Sequence, residues 1–185
     1  MRWLKFLLLV LAALSLTACA STRGPATYAV DVKGPYQLDS GDVLRVTVYG
    51  DEQLTGTYRI DDAGAVAFPL VGPVKVRGKT TKTAAAAIAA ALANGYMRNP
   101  DVAVEVNEYR PFFIQGEVAQ SGKFPYEIGM TVRSAVSMAG GFSDTADRGK
   151  AVVYRRQDET MAKSKVDLDF PIQPGDTIVV LERWL

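Results

Sequence analysis

YQLDSGDVLRVTVYG (residues 36–50), followed by TYRI (57–60), AVAF (65–68), VKVR (74–77) and the alanine-rich TKTAAAAIAAALAN (81–94), decides how this chain folds. Within it Leu44, Val46 and Val48 alternate with Arg45, Thr47 and Tyr49, the period of two that marks a strand with one buried face. Gly41-Asp42 before this run and Gly50-Asp51 after it supply turns. Asp61-Asp-Ala-Gly64 separates Thr57–Ile60 from Ala65–Phe68, and a glycine able to take positive φ predicts a hairpin between those two strands. Pro69 limits how far the second can run. Val74–Arg77 is a further short strand. Thr80, Thr81 or Thr83 can cap the helix that follows, in which Ile88 and Leu92, four apart, are the large apolar side chains. Asn94-Gly95 ends it, and after Pro100 the alternation of Val102, Val104 and Val106 predicts one more strand. The block is α+β, a small mixed sheet covered by one helix.

Working outward, composition bounds the chemistry. The 185 residues are 48% hydrophobic and 22% charged, the balance of a globular protein with room for one ordinary domain or two small ones. Twenty-one Lys+Arg stand against 20 Asp+Glu, too even for an electrostatic nucleic-acid footprint. Histidine is absent, which removes the commonest general base, the commonest metal ligand and every Ser-His or Cys-His arrangement. A single cysteine excludes an intrachain disulfide and a zinc cluster. No metal site, no cofactor loop and no catalytic residue are expected, and the chain is read as a non-enzyme.

The N-terminus reads as an export signal over residues 1–18: a positive Met1–Lys5, an apolar Phe6–Leu16 and then small residues. Its apolar run is too short to span a bilayer as a mature helix. The lone cysteine falls where the signal ends, in Leu16-Thr-Ala-Cys19, a sequence that resembles a bacterial lipobox. That resemblance implies that Cys19 carries a diacylglycerol after cleavage, and that Ala20, not Asp, at the second mature position favours the outer membrane. Acyl chains bury about 0.8 kcal/mol per methylene, so an acylated Cys19 would be held firmly at a bilayer. Residues 19–34, polar with Gly24, Pro25 and Gly34, read as the lipidated tether.

Beyond the first block, Phe112–Val118 is a predicted strand running into a turn, with a second turn at Ser121-Gly122 and a strand over Phe124–Ile128. Thr131–Ala139 is a short helix capped by Thr131 and stopped by Gly140-Gly141, with strands at Ala151–Arg155, Ser164–Leu168 and Thr177–Glu182.

The first block resembles the export domain of the bacterial outer-membrane polysaccharide export lipoproteins. The resemblance rests on Tyr36, Leu38, Gly41-Asp42, Leu44, Val46, Val48 and Gly50, then Leu54, Tyr58, Ile60, Gly64, Phe68-Pro69, Gly72, Val74, Gly78, Thr80 and Asn99-Pro100-x-Val102-x-Val104. The later part resembles the family's soluble-ligand-binding β-grasp module through Gly116-Glu-Val118, Gly122, Thr131-Val132, Ala139-Gly140-Gly141 and Pro174-Gly175-Asp176. Together they imply an export domain over residues 35–108 and a β-grasp domain with a terminal strand over 109–185. Larger members of this family carry a C-terminal amphipathic helix that, in an eight-fold ring, forms the passage through the outer membrane. Here Thr177–Leu185 offers one strand, and the chain looks like the short branch with one β-grasp domain.

Several expectations follow from the resemblance. The chain is expected to sit lipid-anchored at the outer membrane, facing the periplasm, and to form a homo-oligomeric ring that serves as passage or adaptor for exopolysaccharide or capsular polysaccharide. Its expected partners are that polysaccharide, an inner-membrane co-polymerase with its export machinery, a separate outer-membrane pore and outer-membrane lipid, with no nucleic acid. The loop Phe68-Pro69-Leu70-Val71-Gly72 is the candidate channel-facing segment. Gly41, Asp42, Gly50, Gly64, Pro100, Gly116, Gly122, Gly140, Gly141, Pro174, Gly175 and Asp176 are the expected structural residues of the family motifs.

Other features keep two readings. Asp61-Asp62 suits a turn or a sugar or metal contact. Tyr36, Tyr49, Tyr58, Phe68, Tyr96, Tyr109, Phe112, Phe113, Phe124 and Tyr126 suit a core, an interface or sugar stacking. Arg148, Arg155 and Arg156 suit a solvated edge, an acidic glycan or a neighbouring subunit. Two further functions remain beside export: a monomeric lipid-anchored glycan-binding protein, and an enzyme using an acid such as Asp61 or Asp62.

Overall fold

A computed structural model describes residues 35–157 and 160–183, so the signal, Cys19 and the tether lie outside the described residues. The alternating run forms β1 (Val43–Val48), with Leu44, Val46 and Val48 all buried. It is the centre of a three-stranded antiparallel sheet, flanked by β2 (Gly56–Arg59) and β5 (Val102–Glu108). Leu44, Val46 and Val48 face Val106, Val104 and Val102 across the β1–β5 ladder, so the two alternations share one face.

The hairpin expected between residues 57–60 and 65–68 is not the one that forms. β2 pairs with β1, whereas β3 (Ala65–Phe68) pairs with β4 (Gly72–Lys75), and a single bridge, Ile60 to Val66, joins the two units. The reason lies in side-chain burial. Pairing β3 with β4 sets Val66 opposite Val74 and buries both, and the Pro69-Leu70-Val71 turn supplies the reversal. Asp61 closes the connection to β3 instead, its Oδ1 accepting the Ala65 N–H at 2.8 Å.

Helix α1 (Thr81–Ala93) begins with Thr80 as N-cap in a reciprocal capping box with Thr83 and ends at Asn94. Ala84, Ile88 and Leu92 form its buried stripe, and the small alanines beside them let the helix lie close on β4 and β5.

The second half is a five-stranded sheet in the order β7-β6-β10-β8-β9, with a helix on one face. Its strands are β6 (Phe112–Gly116), β7 (Gly122–Phe124), β8 (Ala146–Gln157), β9 (Thr160–Asp167) and β10 (Thr177–Glu182). The helix is α2 (Val132–Met138), capped by Thr131. β10, last in sequence, is central: it runs parallel to β6 and antiparallel to β8, which makes this sheet mixed while the first is antiparallel. The whole is α+β, a helix-covered sheet followed by a β-grasp-like unit.

Several boundaries differ from the sequence reading: β4 is Gly72–Lys75 and not 74–77, and β9 is Thr160–Asp167 and not 164–168. β7 occupies 122–124 and not 124–128, because Pro125 has no N–H to donate and ends the ladder. β8 extends well beyond 151–155, since β9 follows it along its full outer length, from Lys150 opposite Asp167 to Gln157 opposite Thr160. The two halves have separate cores, one around Leu44, Val46, Ile88 and Leu92, the other around Phe112, Ile114, Val132, Val136 and Ile178. No helix among the described residues is long and apolar enough to cross a membrane.

Candidate functional site at the junction of the two modules

Each half carries a Gly-Asp step at the entry to its central strand. Gly41-Asp42 leads into β1 and Gly175-Asp176 into β10, and both carboxylates are buried, at 0% and 1% exposure. Such burial is costly unless every lone pair is met. The two loops meet it alike: Asp42 Oδ2 accepts the Asp39 N–H at 2.9 Å, and Asp176 Oδ2 accepts the Gln173 N–H at 2.7 Å, three residues back in each case.

The remaining partners come from Tyr36 ahead of β1, from the chain joining the modules and from β8. Asp42 Oδ1 accepts the Arg110 N–H at 3.0 Å and Oδ2 accepts the Tyr36 hydroxyl at 2.7 Å. The Arg110 guanidinium donates to the Tyr36 hydroxyl oxygen at 3.0 Å and stands 3.5 Å from Asp42. Arg155 grips Asp176 in a two-point fork, Nε to Oδ1 at 2.9 Å and Nη2 to Oδ2 at 2.6 Å, with the Pro171 carbonyl as a further acceptor. Its guanidinium also lies over the Phe170 ring, 5.5 Å from the centroid. No buried side-chain polar atom among the described residues lacks a partner.

Asp39 ties the modules together. Its carboxylate receives Arg77 at 3.1 Å from its own module, Arg110 at 3.6 Å from the connection and Arg156 at 2.6 Å from β8. Burial pushes its carboxyl up, but the Arg156 hydrogen bond, the Ser40 N–H and the Arg110 charge outweigh that and hold it below the usual carboxylate range. Burial, with the neighbouring Asp42 charge, pushes the Tyr36 hydroxyl well above its ordinary value, so it stays a donor to Asp42. A ladder of rings continues the contact, with Tyr36 edge-on to Tyr109 at 5.0 Å and Tyr109 edge-on to Tyr126 at 5.6 Å.

Arg110 leaves little clearance. A Cβ at Gly175 would stand 2.7 Å from Arg110 Nε and push that side chain aside, and the φ of +84° there is one that L side chains rarely adopt. A cleft of about 290 Å³ opens beside it, lined by Arg110, Arg155, Arg156, Met161 and Gln173 among others. Each of its guanidinium groups is already held by a carboxylate, which makes the cleft an interlock, not an anion cradle. It contains no nucleophile paired with a base.

Of the candidate channel loop, Phe68 is buried in the first core beside Tyr58, ring centroids 4.8 Å apart. Pro69 and Leu70 form the exposed tip, Leu70 at 60% exposure with φ of +69°, and Gly72 opens β4. Gly50 follows β1, Gly64 precedes β3, Pro100 precedes β5, Gly116 ends β6, Gly122 starts β7, and Gly140-Gly141 follow α2. Asp61 and Asp62 are exposed at their turn and Arg148 is exposed on β8, whereas Arg155 and Arg156 belong to the junction.

Sequence reasoning missed Asp39 and Arg110 as partners of the Gly-Asp steps. A signal was present: Leu38-Asp-Ser-Gly-Asp-Val-Leu-Arg-Val46 and Ile172-Gln-Pro-Gly-Asp-Thr-Ile-Val-Val180 are the same apolar-x-x-Gly-Asp-x-apolar pattern, one per module.

Comparison with known proteins matches the two modules to two domain families. The family described as polysaccharide biosynthesis/export protein matches residues 30–107, and the SLBB domain matches residues 111–164. The exopolysaccharide production protein ExoF of Rhizobium meliloti is 32% identical over 149 residues, covering 74% of this chain and 34% of that protein. The EPS I polysaccharide export outer membrane protein EpsA of Ralstonia solanacearum is 29% identical over 148 residues, 65% of this chain and 39% of that protein. The polysialic acid transport protein KpsD of Escherichia coli is 26% identical over 160 residues, 80% of this chain and 28% of that protein. The chain thus spans about a third of the length of these curated relatives. With an export domain over residues 30–107 and an SLBB domain over residues 111–164 in series, the chain belongs to the polysaccharide biosynthesis/export family.

Proposed function

We propose that this protein is a lipid-anchored component at the periplasmic side of the outer membrane that assembles into a ring and guides an exopolysaccharide or capsular polysaccharide outwards. The observation that carries the reading is the match to export proteins across both modules in series, from residue 30 to residue 164. Cys19 is the proposed lipid attachment point, and the exposed Pro69-Leu70 tip the proposed channel-facing contact. An inner-membrane co-polymerase with its export machinery and a separate outer-membrane pore are the proposed partners.

The junction supports this reading physically. A ring closes only if each subunit presents its two contact surfaces at a fixed angle, since a heterologous interface with a variable angle gives open chains. Asp39, Asp42 and Arg110 fix the angle between the modules by ion pairs and hydrogen bonds that include a fully buried carboxylate. The chemistry needed is positional, and no acid-base pair converges at the junction.

The mass of the full-length chain extracted from membranes in mild detergent tests the assembly. A closed oligomer visible by electron microscopy is expected, along with incorporation of labelled fatty acid that Cys19→Ser abolishes. A monomer that binds glycan saturably would overturn the ring in favour of a monomeric lipid-anchored glycan-binding protein.

A further inference from the structure

The second module's sheet has one face under α2 and the other open. Registers place the side chains of the open face in two rows. Phe113 lies opposite Lys123 on β7 and Thr177 on β10, Thr177 opposite Tyr154 on β8, and Tyr154 opposite Lys163 on β9. The first row is therefore Lys123–Phe113–Thr177–Tyr154–Lys163, crossing all five strands. The second, two residues along, is Gln115–Val179–Val152–Lys165. Residues that alternate with them, Phe112, Ile114, Ile178 and Val153, point into the core, which fixes these rows on the opposite face.

The face has a definite character. Phe113 is 45% exposed, Tyr154 and Val179 are half-buried, and Lys163 Nζ lies 5.6 Å from the Tyr154 ring centroid. The two rows hold three lysines and no carboxylate. The next pair along β8 and β9, Lys150 opposite Asp167, is balanced, and Arg156 on the other side is held by Asp39. The first module's open sheet face makes the contrast: there Arg45 faces Glu105, and Arg59 and Glu108 flank Val43, two cations against two anions. The excess of positive charge is thus particular to this platform and not a general feature of the molecule, whose formal net charge is +1.

We propose that the open face of the β6–β10–β8 sheet is a binding platform for an acidic polysaccharide chain. Phe113 and Tyr154 take sugar rings on their faces, and Lys123, Lys163 and Lys165 pair with carboxylate or other acidic substituents. With strands about 4.8 Å apart the first row spans about 19 Å, so several successive sugars lie across it. An exposed ring offers its electron-rich face to polarised C–H groups, and a lysine ammonium suits a mobile anion because it imposes no bidentate geometry. Each such contact in water is individually weak and screened by salt, which suits a polymer that must pass along the surface. The ligand class rests on the export reading. A second copy of the chain is the less fitting occupant, because lysine is depleted from the buried centres of protein interfaces and three lysines frame this one.

Polygalacturonate oligomers and neutral dextran of matched length, titrated into the full-length chain in detergent, test the platform. Polygalacturonate is expected to bind in low salt and to be released as salt rises, with dextran far weaker. Lys163→Gln with Lys165→Gln is expected to weaken polygalacturonate binding about tenfold, and Phe113→Ser about threefold, as removing two or one exposed contacts implies. Lys82→Gln with Arg98→Gln in the first module leaves it unchanged, and the thermal midpoint stays at the wild-type value in every variant. Equal affinity for dextran, no affinity for polygalacturonate, or platform variants that bind like the wild type would overturn the proposal. So would platform variants that retain glycan but lower the mass of the assembly, which would make the face a subunit contact. Binding is read without secretion, so the platform stands or fails separately from the export reading: glycan bound by a protein whose deletion leaves secretion intact would sink export alone.

Discussion

At the residue scale the junction turns on Asp42, a carboxylate without solvent exposure that accepts from Tyr36, from the Asp39 N–H and from the Arg110 N–H. Removing it leaves the Tyr36 hydroxyl and the Asp39 and Arg110 N–H groups without that acceptor in a desolvated place, while the Arg110 guanidinium keeps Tyr36 and Asp39. Asp42→Ala is therefore expected to destabilise the protein by about 3 to 5 kcal/mol, the range for breaking one partner of a buried pair, as read by urea denaturation. Asp39 gives a pH signature. Its folded-state carboxyl titrates below the ordinary value, so its contribution is complete above the unfolded value, about pH 4, and is lost as pH falls through the lowered one. The wild-type thermal midpoint is expected to drop through that acid window, and Asp39→Asn, lacking the titration, to drop less between the same pH values. Gly41-Asp42 was legible as the turn before the first strand, and Gly175-Asp176 through the resemblance to the family's motif. Their partners were not, because Arg110 reaches Asp42 from 68 residues away in sequence, and no local pattern encodes that approach.

Elements were more legible than their pairings. The period of two in Leu44–Val48, the capping threonines and the Gly140-Gly141 stop are local physics, and β1, α1, α2 and β10 lie where those signals put them. Which short strands pair depends on side chains meeting across the sheet. That choice is not written in either strand by itself, so β3 joins β4 where a hairpin with β2 was expected. The parallel β6–β10 pair makes a sharp test at this scale. A Cβ on Gly116 would stand 2.1 Å from the Val180 carbonyl oxygen, at a φ of +90° that side-chain-bearing residues rarely adopt. Gly116→Ala is expected to cost about 3 kcal/mol or more, by strain plus separation of the central strands. Because the two cores are separate, hydrogen exchange is expected to rise across β6, β8 and β10 while β1 and α1 keep their protection.

On the scale of the whole molecule, two small units that could swing about residues 109–111 are held by Asp39, Asp42, Arg110 and Arg156 into one orientation. That rigidity matters for a building block of a closed assembly and would have no evident use in a chain whose modules act separately. The absence of histidine had already narrowed the field from the sequence, since it removes the commonest general base and the commonest metal ligand. The most direct measurement is extracellular polysaccharide from cells deleted for this gene and complemented with the wild-type chain or with Cys19→Ser. The account predicts that polymer disappears from the medium on deletion and returns with the wild-type chain but not with the variant. Secretion unchanged in the deleted cells would contradict it.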